Sequence, residues 1–190
     1  MDDSGIGRRA LLQQGLAGTL LALGGVFVPE AAWARGKKDL VAALHRGVER
    51  ELRAAWAYRT AAGTGKLSDG VLAIASTFGG QHREHAEALS TALRKLGADA
   101  PHARKTYDLS AFAPDLANER GIVILAIKLE SEAVKAYHHA VSTLKEAGLR
   151  SLAASILADE AMHVAVLRDA LGLDPVPSAF VTDPATWPLG

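Results

Sequence analysis

The residues with the clearest chemistry lie near the end of the last long apolar stretch, in Asp159-Glu160-Ala161-Met162-His163. Glu160 and His163 are three positions apart, so on a helix they occupy neighbouring turns of one face. Ile156, Leu167 and Ala170 continue that face at helical spacing. The helix therefore points a carboxylate and an imidazole into its own core. Burying an unpaired charge is costly, so the pair needs hydrogen-bond partners or a metal ion.

The elements that must supply those partners follow from apolar periodicity. A first helix is expected over about 39–62, with Leu44, Val48, Glu51, Ala55 and Tyr58 on its inner face. Gly63-Thr64-Gly65 stops it, and Ser68 is placed to cap a second helix over 69–96. That helix turns Ala75, Phe78, His82, His85, Leu89 and Ala92 inward and ends at Gly97. The connection over 97–114, with Pro101 and Pro114, is long enough to cross the length of a bundle. A third helix over 115–147 carries Val123, Ile127, Glu130, Val134 and Tyr137 inward, and a fourth runs over 149–171 to Gly172. The tail holds Pro175, Pro177, Pro184 and Pro188, which forbid a helix.

The chain repeats itself. Glu51 precedes Tyr58 by the spacing that separates Glu130 from Tyr137, and His85-Ala86-Glu87-Ala88-Leu89 corresponds to His163-Val164-Ala165-Val166-Leu167. A helix pair, a crossover and a second copy of the pair give an all-α four-helix bundle. Composition agrees. Aromatic residues make up 5% of 190 residues, against 49% hydrophobic content, which favours close-packed helices. With 21 basic and 21 acidic residues the formal charge is zero, so nothing draws the chain to nucleic acid. The absence of cysteine excludes disulfides and thiolate ligands.

Residues 1–34 read as an export signal rather than as part of the fold. Arg8-Arg9 is followed by a mild apolar run from Gly15 to Val28, then by Ala32-Trp33-Ala34, a small-x-small cleavage pattern. The paired arginines resemble a twin-arginine signal, the alternative being an ordinary secretory signal or an uncleaved anchor. The apolar run is too short to span a bilayer, so a periplasmic or other extracytoplasmic location is expected, with no stable membrane span after cleavage.

Four helices, one long crossover, inward glutamates and a Glu-x-x-His segment resemble the ferritin-like superfamily, most sharply over Ile156 to His163, and across the whole expected mature chain 35–190. The resemblance implies that Glu51 and Glu130 are terminal metal ligands, Glu160 a bridge between two metals, and His85 and His163 nitrogen ligands. One position departs from the pattern. His82 stands where the second bridging glutamate is expected, and Glu84 cannot replace it, lying some 200° further round the helix. The expected set is three carboxylates and three imidazoles, which leaves about one charge of two divalent ions uncompensated. Its nitrogen content moves the preference towards iron, zinc, copper or cobalt and away from magnesium or calcium. The resemblance implies iron, with zinc, manganese or copper as alternatives, in a mono- or dinuclear site.

Two functions follow from the resemblance: oxidation of ferrous iron, or reduction of oxygen or peroxide, at an extracytoplasmic centre; or a non-catalytic bundle with a degenerate site, serving in metal binding, stress or interaction. Without metal, the inward groups would form a polar network satisfied by each other, with Tyr58 and Tyr137 as supporting partners. His45 and His102 carry no signal, His138 and His139 follow the inner stripe and are expected at the surface, and Glu132 is a reserve ligand should the third helix be rotated. Self-association as a homodimer is left open.

Overall fold

The computed structural model describes residues 30–110 and 116–189, with side chains from residue 36 onward. The expected export signal lies almost wholly outside these. Contacts divide the chain after Lys37, and the bundle is the unit from Lys38 on. Four long helices carry it: α1 (Glu30–Ala62), α2 (Asp69–Lys95), α3 (Glu119–Thr143) and α4 (Ala147–Ala170). No strand occurs among the described residues, and no described helix is long and apolar enough to cross a membrane.

Two apolar layers show how the helices run. One gathers Leu44 and Val48 of α1, Leu89 and Leu93 of α2, Ala133 and Tyr137 of α3, and Ala153 and Ile156 of α4. The other gathers Tyr58, Ala75, Phe78, Val123, Ile127 and Leu167 from the same four helices. Residue numbers rise from the first layer to the second in α1 and α4, and fall in α2 and α3. So α1 and α4 are parallel, both antiparallel to α2 and α3, and the chain between α2 and α3 must travel the bundle's length. Burial of these side chains removes apolar surface from water at about 25 cal/mol per Å2.

The crossover is fastened to the outer side of α1. Trp56 Nε1 donates to the Lys105 carbonyl at 3.0 Å, and Trp56 meets Tyr107 with ring centroids 5.7 Å apart. Arg104 pairs with Glu49 at 2.6 Å. The tail is fastened by Arg168, a buried cation near the end of α4. Its Nε donates to the Asp174 carbonyl at 2.8 Å and its guanidinium to the Pro188 carbonyl at 3.0 Å, 5.5 Å from the Trp187 ring centre.

Several boundaries differ from expectation. Asn118 caps α3 by accepting from the Gly121 N–H at 2.9 Å, so the helix starts at Glu119 rather than at 115. It ends at Thr143, not 147. Ser142 and Thr143 hydroxyls both occupy the His139 carbonyl, and Arg150 donates to the carbonyls of Leu144 and Lys145. Gly148, expected as a stop, lies in the first turn of α4. Gly97 and Gly172 do act as stops, at φ +73° and +68°, a conformation glycine adopts without strain. Ser68 is the N-cap residue of α2, but its hydroxyl makes no capping bond. Ala170, assigned inward, is exposed because α4 ends there. The tail holds one 3-10 turn, Pro184–Thr186.

Candidate metal centre

Between the two apolar layers lies a polar one. Glu51, His82, Glu130 and Glu160 are 0% exposed and His163 1%, while His85 is half-buried. All six expected ligands thus meet in one place, one from α1, two from α2, one from α3 and two from α4. The sequence delivers them because each sits on the inner stripe of its helix, with apolar residues about one turn away along the same stripe.

His82 is the centre of the cluster. Its Nδ1 lies 2.8 Å from Glu51 Oε2 and its Nε2 3.2 Å from Glu130 Oε1. His85 Nδ1 is 3.4 Å from Glu51 Oε2 and 3.2 Å from Glu160 Oε1. His163 Nδ1 is 3.6 Å from Glu130 Oε2 and 3.3 Å from Glu160 Oε2. The rings are held by stacking, His163 on Phe78 with centroids 3.8 Å apart and His82 on Tyr58 at 5.5 Å.

The groups around the ligands obey the internal repeat, and they cross it. Tyr58 of the first half donates to Glu130 of the second. Tyr137 of the second half donates to Glu51 of the first, at 2.5 Å. The same exchange holds for the imidazoles. Gln81, which precedes His82 as Asp159 precedes Glu160, accepts from His163 Nε2 at 3.0 Å. Asp159 Oδ2 lies 3.3 Å from His85 Nε2 and also 3.3 Å from His163 Nε2. With Nε2 donating to these outer acceptors, each Nδ1 is the nitrogen that faces the centre, its lone pair open to a metal once its proton is displaced. Neither Gln81 nor Asp159 was expected as part of the site. Aligning the two halves residue by residue would have revealed both.

Electrostatics follow from the crowding. Burial alone would raise Glu51, but His82, His85 and Tyr137 hold its carboxyl down at about 2. Glu130 is also held low, burial being outweighed mainly by His82 and His163. Glu160 goes the other way, pushed to about 7 by burial and by the charge of Glu130. Burial would lower His85 and His163, but the neighbouring carboxylates lift each to about 9. Tyr58 and Tyr137 are raised well above 10 by burial and by their glutamate partners, so they remain hydrogen-bond donors.

These residues fit a metal ion. Glu130 Oε2, both oxygens of Glu160, and Nδ1 of His85 and His163 are buried and make no hydrogen bond among the described residues. Buried polar atoms normally find a partner. Here the five converge on each other, as ligand atoms do around a cation. Two overlapping donor sets result, Glu51–His82–His85–Glu160 and His82–Glu130–Glu160–His163, each with its donor atoms within 4.8 Å of one another. The reserve ligand Glu132 is elsewhere, pairing with Arg53 at 2.7 Å on the outer side of α3. His138 and His139 are exposed.

A profile of the ferritin-like domain matches residues 40–173, which takes in all four helices of the bundle. The chain belongs to the ferritin-like domain family. Among solved structures, the fold of this ferritin-like chain is similar to a conserved hypothetical protein from Mycobacterium tuberculosis, with TM-score 0.64 and 22% identity over 76% of this chain and 99% of that one. It is also similar to the bacterioferritin-related protein of Bacteroides fragilis, a dodecameric thioferritin, with TM-score 0.63 and 20% identity over 72% and 86%. At these identities the likeness is one of fold. No curated protein is a significant match to the sequence.

Proposed function

We propose that this chain is an exported metal-binding protein whose carboxylate–histidine centre takes up iron and serves oxidation of ferrous iron or reduction of oxygen or peroxide. The observation that carries this reading is the convergence of five buried ligand atoms from Glu130, Glu160, His85 and His163 that make no hydrogen bond and face one another. When bound, the metal supplies the electron chemistry. The protein's own groups do the rest. Glu51 and Glu130 serve as terminal ligands, each fixed by the tyrosine of the opposite half. Glu160 faces both donor sets, and His85 and His163 present Nδ1. Phe78, Ile127 and Leu167 keep the layer beside the centre free of water. Zinc, manganese or copper would be held by the same donors.

Aerobic addition of ferrous iron tests this reading. Iron retained with the protein, together with a rise in near-ultraviolet absorbance, supports it. Sub-stoichiometric metal without ferrous oxidation rejects it. A second reading, a non-catalytic bundle, is favoured by one observation: both His82 nitrogens already face carboxylates, so a protonated ring would itself serve as the buried cation. On that reading Glu160→Ala leaves fold and metal content unchanged, or raises stability, because buried charges without a metal are often a net cost.

Export through the twin-arginine pathway is part of the proposal, resting on Arg8-Arg9, the apolar run and Ala32-Trp33-Ala34. Self-association, as a homodimer or a larger assembly, is supported by Met162 and Val166, exposed apolar neighbours one turn apart on α4.

A further inference from the structure

We infer, resting on the metal reading above, that His82 joins two metal positions through its two ring nitrogens, as an imidazolate bridge standing in for a second bridging carboxylate. The two donor sets share only His82 and Glu160. Glu160 divides its oxygens between them, Oε1 toward His85 and Oε2 toward His163. His82 divides its nitrogens in the same sense. Nδ1 faces Glu51 Oε2 at 2.8 Å and Glu160 Oε1 at 3.6 Å in the first set, and Nε2 faces Glu130 Oε1 at 3.2 Å in the second.

The other two imidazoles make the contrast. A histidine that holds one metal donates its second nitrogen to an outer acceptor. His85 and His163 do this through Asp159 and Gln81. His82 differs, in that both of its nitrogens face carboxylates of the centre itself. Neighbouring donors within each set lie 2.8–3.6 Å apart, the spacing of ligands around an ion with bonds of about 2.0–2.2 Å.

Charge gives a second, independent argument. Glu51, Glu130 and Glu160 supply three negative charges against the four positive charges of two divalent ions. An imidazolate supplies the fourth, so the buried layer becomes neutral, and a net buried charge is strongly disfavoured. On loading, the N–H protons of His82 pass to solvent and one metal–nitrogen bond forms at each ring nitrogen. No oxidation state changes. The ring also sets the spacing. Two metal–nitrogen bonds plus the ring width give roughly 6 Å between ions, against about 3.5–4 Å for the usual two-metal centre.

The test is zinc loading of the full protein, with the ions located by anomalous scattering in crystals and zinc counted in solution. The expected result is two ions roughly 6 Å apart, one on each nitrogen of His82, and a His82→Glu variant in which the separation shrinks to about 4 Å. In the same protein loaded with two copper(II) ions, the bridge weakens the electron paramagnetic resonance signal through coupling, and His82→Gln restores it. Two ions closer than about 4 Å in the unaltered protein overturn the bridge while leaving the metal reading intact. A single ion, with one His82 nitrogen still on a carboxylate, also overturns the bridge alone. No bound zinc overturns both.

Discussion

At the residue scale, the tyrosines show how the centre is fixed before any ion arrives. Tyr58 and Tyr137 each give the buried glutamate of the opposite half a hydroxyl donor, so Tyr58→Phe and Tyr137→Phe each leave a buried carboxylate oxygen without it. Each substitution is expected to lower the stability of the metal-free protein by about 1–3 kcal/mol in denaturant unfolding. The outer acceptors act differently, through the orientation of an imidazole. Asp159→Ala is expected to weaken metal binding by about 10–100-fold, and Gln81→Leu to weaken it less, because Asp159 faces both His85 and His163 while Gln81 holds only His163. Titration calorimetry on the folded variants measures both. The six ligands were legible in the sequence because an acid or imidazole on an apolar stripe stands out against its neighbours. Gln81 and Asp159 were not, since each lies one position off the stripe and has meaning only beside the other half. The crossing of the tyrosines was hidden for a related reason. Spacing places Tyr58 two turns from Glu51 on its own helix, and only packing shows that it serves Glu130.

At the element scale, α1 and α2 approach closely one turn before His82. A methyl at Gly79 would stand 3.1 Å from Tyr58 Cβ, and that atom, fixed to the α1 backbone, cannot swing away. Gly79→Ala gains about 1 kcal/mol in helix propensity and loses about 1–3 kcal/mol to overpacking. Overall stability should therefore change little, while Tyr58 is pushed off Glu130. The expected outcome is a melting temperature within a few degrees of the parent but weaker metal binding, read by calorimetry. Arg168, in the last turn of α4, is the matching test for the tail. Arg168→Ala removes the donors to Asp174 and Pro188 and is expected to open the tail beyond Leu173 to limited proteolysis while the bundle stays folded. The four helices and the crossover were readable from periodicity, since burial of one face dictates it. The ends of α3 were not, because Asn118, Ser142, Thr143 and Arg150 decide them through hydrogen bonds that compete with the helix's own. Gly148 looked like a stop, but glycine in a first turn costs only about 1 kcal/mol and packing overrides it.

At the scale of the whole molecule, the acids and imidazoles link stability to pH and to metal. His85 and His163, raised from 6.5 to about 9, stabilise the metal-free fold fully below pH 6.5 and lose that contribution as pH rises through 9. Glu160, raised from 4.5 to about 7, acts in the same sense, its contribution present below 4.5 and lost as pH rises through 7. Glu51, lowered to about 2, acts oppositely, stabilising above 4.5 and losing this as pH falls toward 2. The metal-free protein should accordingly melt progressively lower from pH 6 to 9. Metal displaces the same protons, so its affinity should climb across that interval, by up to about tenfold per pH unit for each proton released. Sequence alone indicated that charges are buried, but not the direction each one moves, which depends on distances among helices far apart in the chain. The most direct measurement of the central claim is equilibrium metal content after saturation and dialysis at pH 8, for the unaltered protein and for Glu160→Ala. A single shared centre predicts about two ions per chain in the former, the number its two donor sets can hold, and a loss of both in the latter, because Glu160 belongs to each set. Metal content well below one ion per chain, or unchanged by removing Glu160, would contradict it.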